Sequence, residues 1–249
     1  MGSNTHRRAA GEIGPVRLPL EARLCGRLVR RYKRFLADVV TEDGRTLTVH
    51  CPNPGRMTGC ATPGAAVRCS TSDNPRRKLR HTLEMIRVGR TWVGLHASRA
   101  NAIAARSFET DAVPELAAYR EIRREVRVGN SRLDFRLTRH SGGRRPAYVE
   151  VKSVTLADGR LALFPDSVTE RGRRHLETLI QLRRKGFRAA LLFVVQRADC
   201  DRVSPADEID PAYGAALRAA ARAGVEILAI GARVTSRAIT VERSLPVVL

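Results

Sequence analysis

The sequence has no apolar stretch longer than Ala189 to Val195, far short of the roughly 18 residues a membrane-crossing helix needs. It also has no Cys-x-x-Cys pair and no secretory signal. The five cysteines (Cys25, Cys51, Cys60, Cys69 and Cys200) are odd in number. A disulfide framework and a cysteine-based zinc site therefore lack support, and free buried thiols in the cytoplasm are expected. No Walker loop, no G-x-G-x-x-G after a strand and no Ser-His-Asp grouping is present, so NTPase, dinucleotide-enzyme and serine-hydrolase readings have nothing to stand on. No internal repeat is visible, which argues against a solenoid. Lysine is nearly missing as well: only Lys33, Lys78, Lys152 and Lys185 stand among 45 basic residues.

What is present is apolar residue in quantity, and arginine. At 43% hydrophobic over 249 residues, the chain can build one large core or two smaller ones. The net charge of +20 points to a polyanionic partner, most often nucleic acid. Residues 1–100 carry 19 basic and 7 acidic groups, whereas 101–249 carry 26 and 18. The first part, with the denser charge, is expected to meet phosphates. Residues 1–15 read as a flexible extension.

From Leu24 the texture is β-like. LCGRLVRRYKRF and LADVVTEDGRTLTVHC, the latter turning at Asp43-Gly44, precede strand-like runs at 65–72, 79–88 and 90–97. Five short strands in about 75 residues suggest an OB-fold-like nucleic-acid-binding barrel over 16–97. After Ala97, Ala-rich helical segments alternate with short apolar runs, the pattern of an α/β layer over 98–249. The expected order there is helix 98–108, strands EIRREVRVG, SRLDFRLT and AYVEVKSVT, helix 168–185, strand RAALLFVVQ, helix 211–223 and strand VEILAI. Ser167 or Thr169 could cap the helix at 168–185 and Gly186 end it, with Val168, Leu176, Leu179, Ile180 and Leu182 on one face.

Two of these strands carry the chemistry. Alternation in SRLDFRL separates Asp134 from Leu133, Phe135 and Leu137, and AYVEVKS places Glu150 and Lys152 on one face. Adjacent strands would bring the three together. Asp134 and Glu150 are hard oxygen ligands for Mg²⁺ or Mn²⁺, the Val151 carbonyl could complete the shell, and the Lys152 ammonium suits orienting a water or stabilising charge on a phosphodiester. With 25 acids and four lysines, chance predicts about 0.4 acid-x-Lys pairs, and this is the only one. The alternative is an ion-pair network on a partly solvated sheet edge, with Asp134 pairing Arg132 or Arg136.

Three basic segments are candidate DNA contacts. RRYKRF interleaves Tyr32 and Phe35 with Arg30, Arg31, Lys33 and Arg34, which suits base stacking beside backbone contacts or packing inside the barrel. CPNPGRMTGCATPG (51–64) offers Asn53, Arg56 and glycine-freed amides to an anion, or closes the barrel as a rigid loop. SDNPRRKLRH presents Arg76, Arg77 and Lys78, either a phosphate patch or a solvated charge run. In FPDSVTERGRRHLETL a Glu170–Arg174 ion pair at helical spacing explains the charges, with Glu170 a candidate supporting group and His175 a weaker candidate for catalysis.

RYKRFLADV, HCPNPGRMTGC, TSDNPRRK, SRLDF, YVEVKSVT, FPDSVTERGRRHL, GVEILA and SLPV together resemble the sugar fermentation stimulation protein A family, over about residues 24–249. The resemblance implies an N-terminal OB-fold, a C-terminal PD-(D/E)XK nuclease-like α/β domain, non-specific DNA binding and a role in regulating sugar (maltose) metabolism. The nuclease-type signature would fall on Asp134, Glu150 and Lys152. Pro54 departs from the threonine commoner in the family, and the first helix lacks the glutamate that some nucleases of the superfamily use as a further metal ligand. Sequence-independent DNA binding, a Mg²⁺- or Mn²⁺-dependent endonuclease or exonuclease, and an operator-reading regulator are the readings to separate. The last lacks a helix-turn-helix. A membrane partner is not expected, and oligomeric state stays open, with a homodimer among the alternatives.

Overall fold

A computed structural model describes residues 16–249. The proposed extension over 1–15 lies outside the described residues. Strand β1 (Val16–Pro19) comes first. β2 (Leu24–Tyr32), β3 (Leu36–Thr41), β4 (Thr46–His50), β5 (Ala66–Thr71), β6 (His81–Val88) and β7 (Thr91–Gly94) then form one sheet in the order β4-β3-β2-β5-β6-β7. A β4–β6 pairing at His50 and Thr82 closes β2 to β6 into a five-stranded barrel. Its core includes Leu28, Val39, Val49, Met57, Val67, Leu83 and Ile86, all essentially inaccessible. Cys51, Cys60 and Cys69 are buried there as free thiols.

This sheet holds six strands rather than five. LCGRLVRRYKRF ends its strand at Tyr32, and Lys33 and Arg34, both at positive φ (45° and 62°), turn the chain into β3. Asp43-Gly44 does lie in the turn between β3 and β4.

The second part opens with α1 (Ser98–Glu109), then β8 (Tyr119–Val128), β9 (Ser131–His140) and β10 (Ala147–Val154). After β11 (Leu156–Asp158) and β12 (Leu161–Phe164) come α2 (Glu170–Arg184), β13 (Arg188–Val195), β14 (Arg202–Pro205), α3 (Pro211–Arg222), β15 (Glu226–Val234) and β16 (Ala238–Ser244). Seven strands assemble as β1-β16-β15-β13-β10-β9-β8 around parallel β10, β13 and β15. Strand β13 explains its own unbroken apolar run. Ala190, Leu192 and Val194 join the cluster around α1, while Leu191, Phe193 and Val195 join the one around α2 and α3, so both faces are covered.

Three expectations change. β1 pairs antiparallel with β16 from Val16↔Val241 to Pro19↔Ala238, so residues 16–19 belong to the α/β sheet and not to the barrel. β11, β12 and β14 form a separate three-stranded sheet, too short to show periodicity. Helix α2 starts at Glu170, with Thr169 Oγ1 accepting from Gly172 N at 3.0 Å; Val168 precedes it and is 67% exposed. No described helix is long and apolar enough to cross a membrane.

Candidate functional site

The site lies where β9 leaves β10. Their ladder ends at Val149↔Phe135, and beyond it the Val151 amide donates to Asp134 Oδ2 at 2.8 Å instead of to a neighbouring strand. The Asp134 side chain thus replaces a lost ladder bond and is fixed by it. On the far side Asn101, in the first turn of α1, donates to Asp134 Oδ1 at 2.7 Å. The sheet-edge alternative in which Asp134 pairs Arg132 or Arg136 does not occur: Arg132 pairs Glu125, and Arg136 lies over the Tyr148 ring.

Glu150 is 3% exposed. Its Oε1 accepts from Lys152 Nζ at 2.7 Å and from the His175 ring at Nδ1, while Oε2 is buried without a partner. Arg171 Nε donates to His175 Nε2 at 3.4 Å. That bond makes Nε2 the acceptor, so Nδ1–H is the donor to Glu150. Burial works to raise the Glu150 carboxyl, but Lys152 and His175 overcome it and hold the group below the usual carboxylate range. Asp134 goes the other way. Burial first, and the nearby Glu150 charge second, push it up to about 6, against the Val151 amide, Asn101 and Lys152.

Two carboxylates facing one cleft, one with an unsatisfied buried oxygen, fit a hard divalent cation. No group of three or more His, Cys, Asp or Glu side chains that could hold a metal occurs among the described residues. The side chains that could hold such a cation are Asp134 and Glu150. The α1 side chain beside Asp134 is the neutral Asn101 and not an acid. Of the side chains around the pair, the sequence offered His175 only as a weaker catalytic candidate and did not offer Asn101 or Arg171, because only the fold brings α1 and α2 to β9 and β10. Glu170 does not take part; its side chain is 75% exposed and pairs with Arg174 at 3.9 Å.

Asp134, Glu150 and Lys152 line a cleft of about 750 Å³ between barrel and α/β domain. Its barrel wall is Arg34, Asn53, Pro54 and Gly55, and its far wall runs from Phe164 to Thr169. A further hollow of about 640 Å³ continues past Arg34, Pro54 and Gly55 to Arg31, Arg56 and Val168.

The expected DNA contacts divide accordingly. Arg34 and Arg56 are exposed on the cleft and its extension, and Lys33 is exposed beside Arg34. Arg31 is corrected to a staple: its Nη2 donates to the carbonyls of Arg34, Asn53 and Gly55, each at 2.8 Å, so the guanidinium is spent on holding the 51–64 loop. Asn53 is buried, and its Oδ1 accepts from Gly55 N at 2.9 Å, shaping the same loop. Arg30 bonds Asp38 at 2.8 Å and lies over Tyr32, whose hydroxyl also donates to Asp38, so both belong to a barrel-surface network and are not stacking groups on the cleft. Arg76 and Lys78 are exposed on the β5–β6 loop, and Arg77 is tied to Thr82 Oγ1 at 2.8 Å; none of the three lines the cleft.

Comparison with known proteins covers both parts. The family described as "Sugar fermentation stimulation protein RE domain" matches residues 98–238, and "SfsA N-terminal OB domain" matches 29–95. A sugar fermentation stimulation protein homolog of Geobacter sulfurreducens is 49% identical over 223 residues, 89% of this chain and 94% of that one. One from Halorhodospira halophila is 52% identical over 226 residues, 89% and 93% of the respective chains. Among solved structures, SfsA of Pyrococcus furiosus in complex with Ca²⁺ is 31% identical with a TM-score of 0.82, covering 91% of this chain and 96% of the other.

Proposed function

The chain belongs to the sugar fermentation stimulation protein family, and from that premise we propose that it binds DNA without sequence preference in the interdomain cleft and cleaves its phosphodiester backbone with Mg²⁺ or Mn²⁺. The observation that carries this is the pairing of Asp134 with a Glu150 whose buried Oε2 has no partner. A site that had evolved only to hold phosphate would not spend two buried carboxylates on repelling it. The Asp…Glu-x-Lys arrangement on adjoining β9 and β10, with α1 against one face of the sheet, is what a PD-(D/E)XK nuclease-like domain requires. A related structure's complex with Ca²⁺, another hard oxygen-seeking cation, supports the choice of metal class.

Asp134 and Glu150 Oε2 would hold the cation. When bound, it would polarise the scissile phosphate and lower the pKa of an attacking water. Asn101 and the Val151 amide hold Asp134 in place. Lys152 and His175 both grip Glu150 Oε1, which leaves the buried Oε2 without a partner and available for ligation. The Lys152 ammonium is 14% exposed at the cleft, where it can orient water or offset charge growing on the phosphate. Arg34 and Arg56 meet backbone phosphates.

The test is incubation of purified protein with linear, circular and branched DNA in Mg²⁺, Mn²⁺ or EDTA, scoring binding and cleavage on the same samples. Metal-dependent products that vanish in Lys152→Ala and Glu150→Ala, with binding retained, are expected. Salt-sensitive binding without cleavage under every condition would overturn the nuclease and leave a DNA-binding protein on a nuclease-like scaffold. Regulation of sugar (maltose) metabolism would then rest on that binding alone.

A further inference from the structure

Helix α2 opens with three arginines, and two of them have carboxylate partners. Arg173 pairs with Asp210 at 3.2 Å and Arg174 with Glu170 at 3.9 Å. Arg171 has no such partner among the described residues. Its guanidinium makes a single hydrogen bond to them, from Nε to His175 Nε2 at 3.4 Å, and the two terminal nitrogens, Nη1 and Nη2, make none. Stability gives little reason for an arginine here. Arg171 is exposed and stands in the first turn of α2, where a positive charge opposes the helix dipole. A bond as long as 3.4 Å to a neutral ring offsets little of that.

Its place beside the carboxylates is more informative. Arg171 lines the cleft together with Asp134, Glu150 and Lys152. The His175 ring that accepts from its Nε donates from Nδ1 to Glu150 Oε1, so the guanidinium is held one imidazole away from the Glu150 carboxylate. Lys152, the other cation beside that carboxylate, is already bonded to Glu150 Oε1 at 2.7 Å. Arg34 stands on the barrel wall of the same cleft. Arg171 is thus a cation on the α2 side of the cleft that no described carboxylate offsets, a planar fork anchored at its inner nitrogen and unpaired at the outer two.

We propose that Arg171 is a further catalytic residue of the cleft, whose Nη1 and Nη2 grip the two non-bridging oxygens of the phosphate undergoing hydrolysis. This rests on the nuclease reading above and adds a residue to its machinery. A guanidinium fork matches two oxygens of one phosphate, which the single ammonium of a lysine does not. When a water oxygen bonds to phosphorus and one ester P–O bond breaks, negative charge grows on the phosphate oxygens. The water gives up a proton and the departing alkoxide takes one. Arg171 stays protonated throughout, so its part is electrostatic. His175 holds the fork by Nε and Glu150 by Oε1, and one ring therefore sets the spacing between the phosphate grip and the carboxylate.

The test compares Arg171→Ala and Arg171→Lys with the wild-type protein in three measurements. With saturating DNA in Mg²⁺ or Mn²⁺, Arg171→Ala should lose about a hundredfold in kcat, and Arg171→Lys should recover only part of it. Guanidinium, added at concentrations that leave the melting temperature unchanged, should partly restore Arg171→Ala where sodium at equal ionic strength does not. Mn²⁺ binding to the protein without DNA, followed by calorimetry, should be the same in all three. Binding of short single-stranded and duplex DNA in Ca²⁺, on DNA shown to be intact afterwards, should lose about one unit of salt slope in Arg171→Ala. Full cleavage by Arg171→Ala overturns the assignment. Weakened Mn²⁺ binding without guanidinium rescue also overturns it, because Arg171 would then act only through His175 on Glu150. A wild-type protein that binds DNA but cleaves it in no metal overturns the nuclease reading itself, and an unchanged salt slope then removes the phosphate grip as well.

Discussion

Glu84 and Arg99 join the barrel to the α/β domain, and their removal has consequences that can be worked out beforehand. Glu84, on β6, has a side chain 1% exposed. It accepts two bonds at 2.7 Å from the Arg99 guanidinium on α1, one at 2.7 Å from Ser70 and a longer one, 3.3 Å, from His96. Burial opposes ionisation, but hydrogen bonds from His96 and Arg99, together with the Arg99 charge, hold the carboxyl at about 2 instead of 4.5. That gap corresponds to roughly 3 kcal/mol of stability. Because the folded value is the lower one, the contribution is fully present above about pH 4.5 and is lost as pH falls toward 2.

Arg99→Ala strands a buried carboxylate and should cost about 3 to 5 kcal/mol near neutral pH. Glu84→Gln leaves a cation whose side chain is 22% exposed and can hydrate, so about 1 to 2 kcal/mol is expected. The assay is urea unfolding at a series of pH values. Trp92, the one tryptophan, reports on the barrel strands, and far-ultraviolet circular dichroism reports on the helices. In Arg99→Ala the folded value of Glu84 rises toward or past the unfolded one, so the acid loss of stability that Glu84 contributes between about pH 4.5 and 2 should shrink or reverse, and the two signals should part into separate transitions. A loss below about 1 kcal/mol with an unchanged acid limb, or Glu84→Gln costing more than Arg99→Ala, would refute the reasoning.

Three further outcomes follow from particular contacts. Arg31→Ala removes the hydrogen bonds to the Asn53, Gly55 and Arg56 carbonyls of the 51–64 loop and to the Arg34 carbonyl and should cost about 2 kcal/mol in urea unfolding, with faster proteolysis near Gly55. Asp134→Asn relieves the repulsion between two buried carboxylates, so in EDTA near neutral pH it should raise the melting temperature while abolishing metal binding measured by calorimetry. Burial pushes Cys60 and Cys200 up to about 11 and Cys69 up to about 12, so these thiols should resist alkylation at pH 8 in the native protein and react with iodoacetamide only after unfolding, as counted by mass spectrometry.

How much of this was legible beforehand depends on how local the signal is. Alternation in SRLDFRL and the scarcity of lysine were enough to single out Asp134, Glu150 and Lys152, and the structure puts all three on one cleft. The Thr169 cap and the two-faced apolar strand β13 are equally local. By contrast, β1 finds its partner more than two hundred residues away in β16, and no pattern in VRLP announces that. β11, β12 and β14 have three to four residues each, too few for a period to show. For His175, a weaker catalytic candidate in the sequence, the stronger signal is its place: it is the histidine of α2 and lies beside Leu176 and Leu179, all of them buried. A buried polar ring among leucines needs a partner, and Glu150 is that partner.

The same reasoning explains why the two domains share one site and do not merely sit in tandem. Met57 N, on the barrel side, donates to Asp166 Oδ2 at 2.8 Å, and a Cβ at Gly55 would run into that carboxylate. Glycine is thus required by close approach of the loop to the segment between β12 and α2. That segment leads directly to Thr169, Arg171 and His175, and so to Glu150. Gly94 N donates to the Gln196 carbonyl at 2.9 Å, and Gln196 Nε2 to Ser153 Oγ at 2.8 Å, which ties the end of the barrel to the end of β10. The loop holding exposed Arg56 and the strands holding Asp134 and Glu150 are therefore set by one connected hydrogen-bond framework. Rotation of one domain against the other would break contacts that orient Glu150, so the distance from Asp134 and Glu150 to Arg34 and Arg56 is a property of the fold.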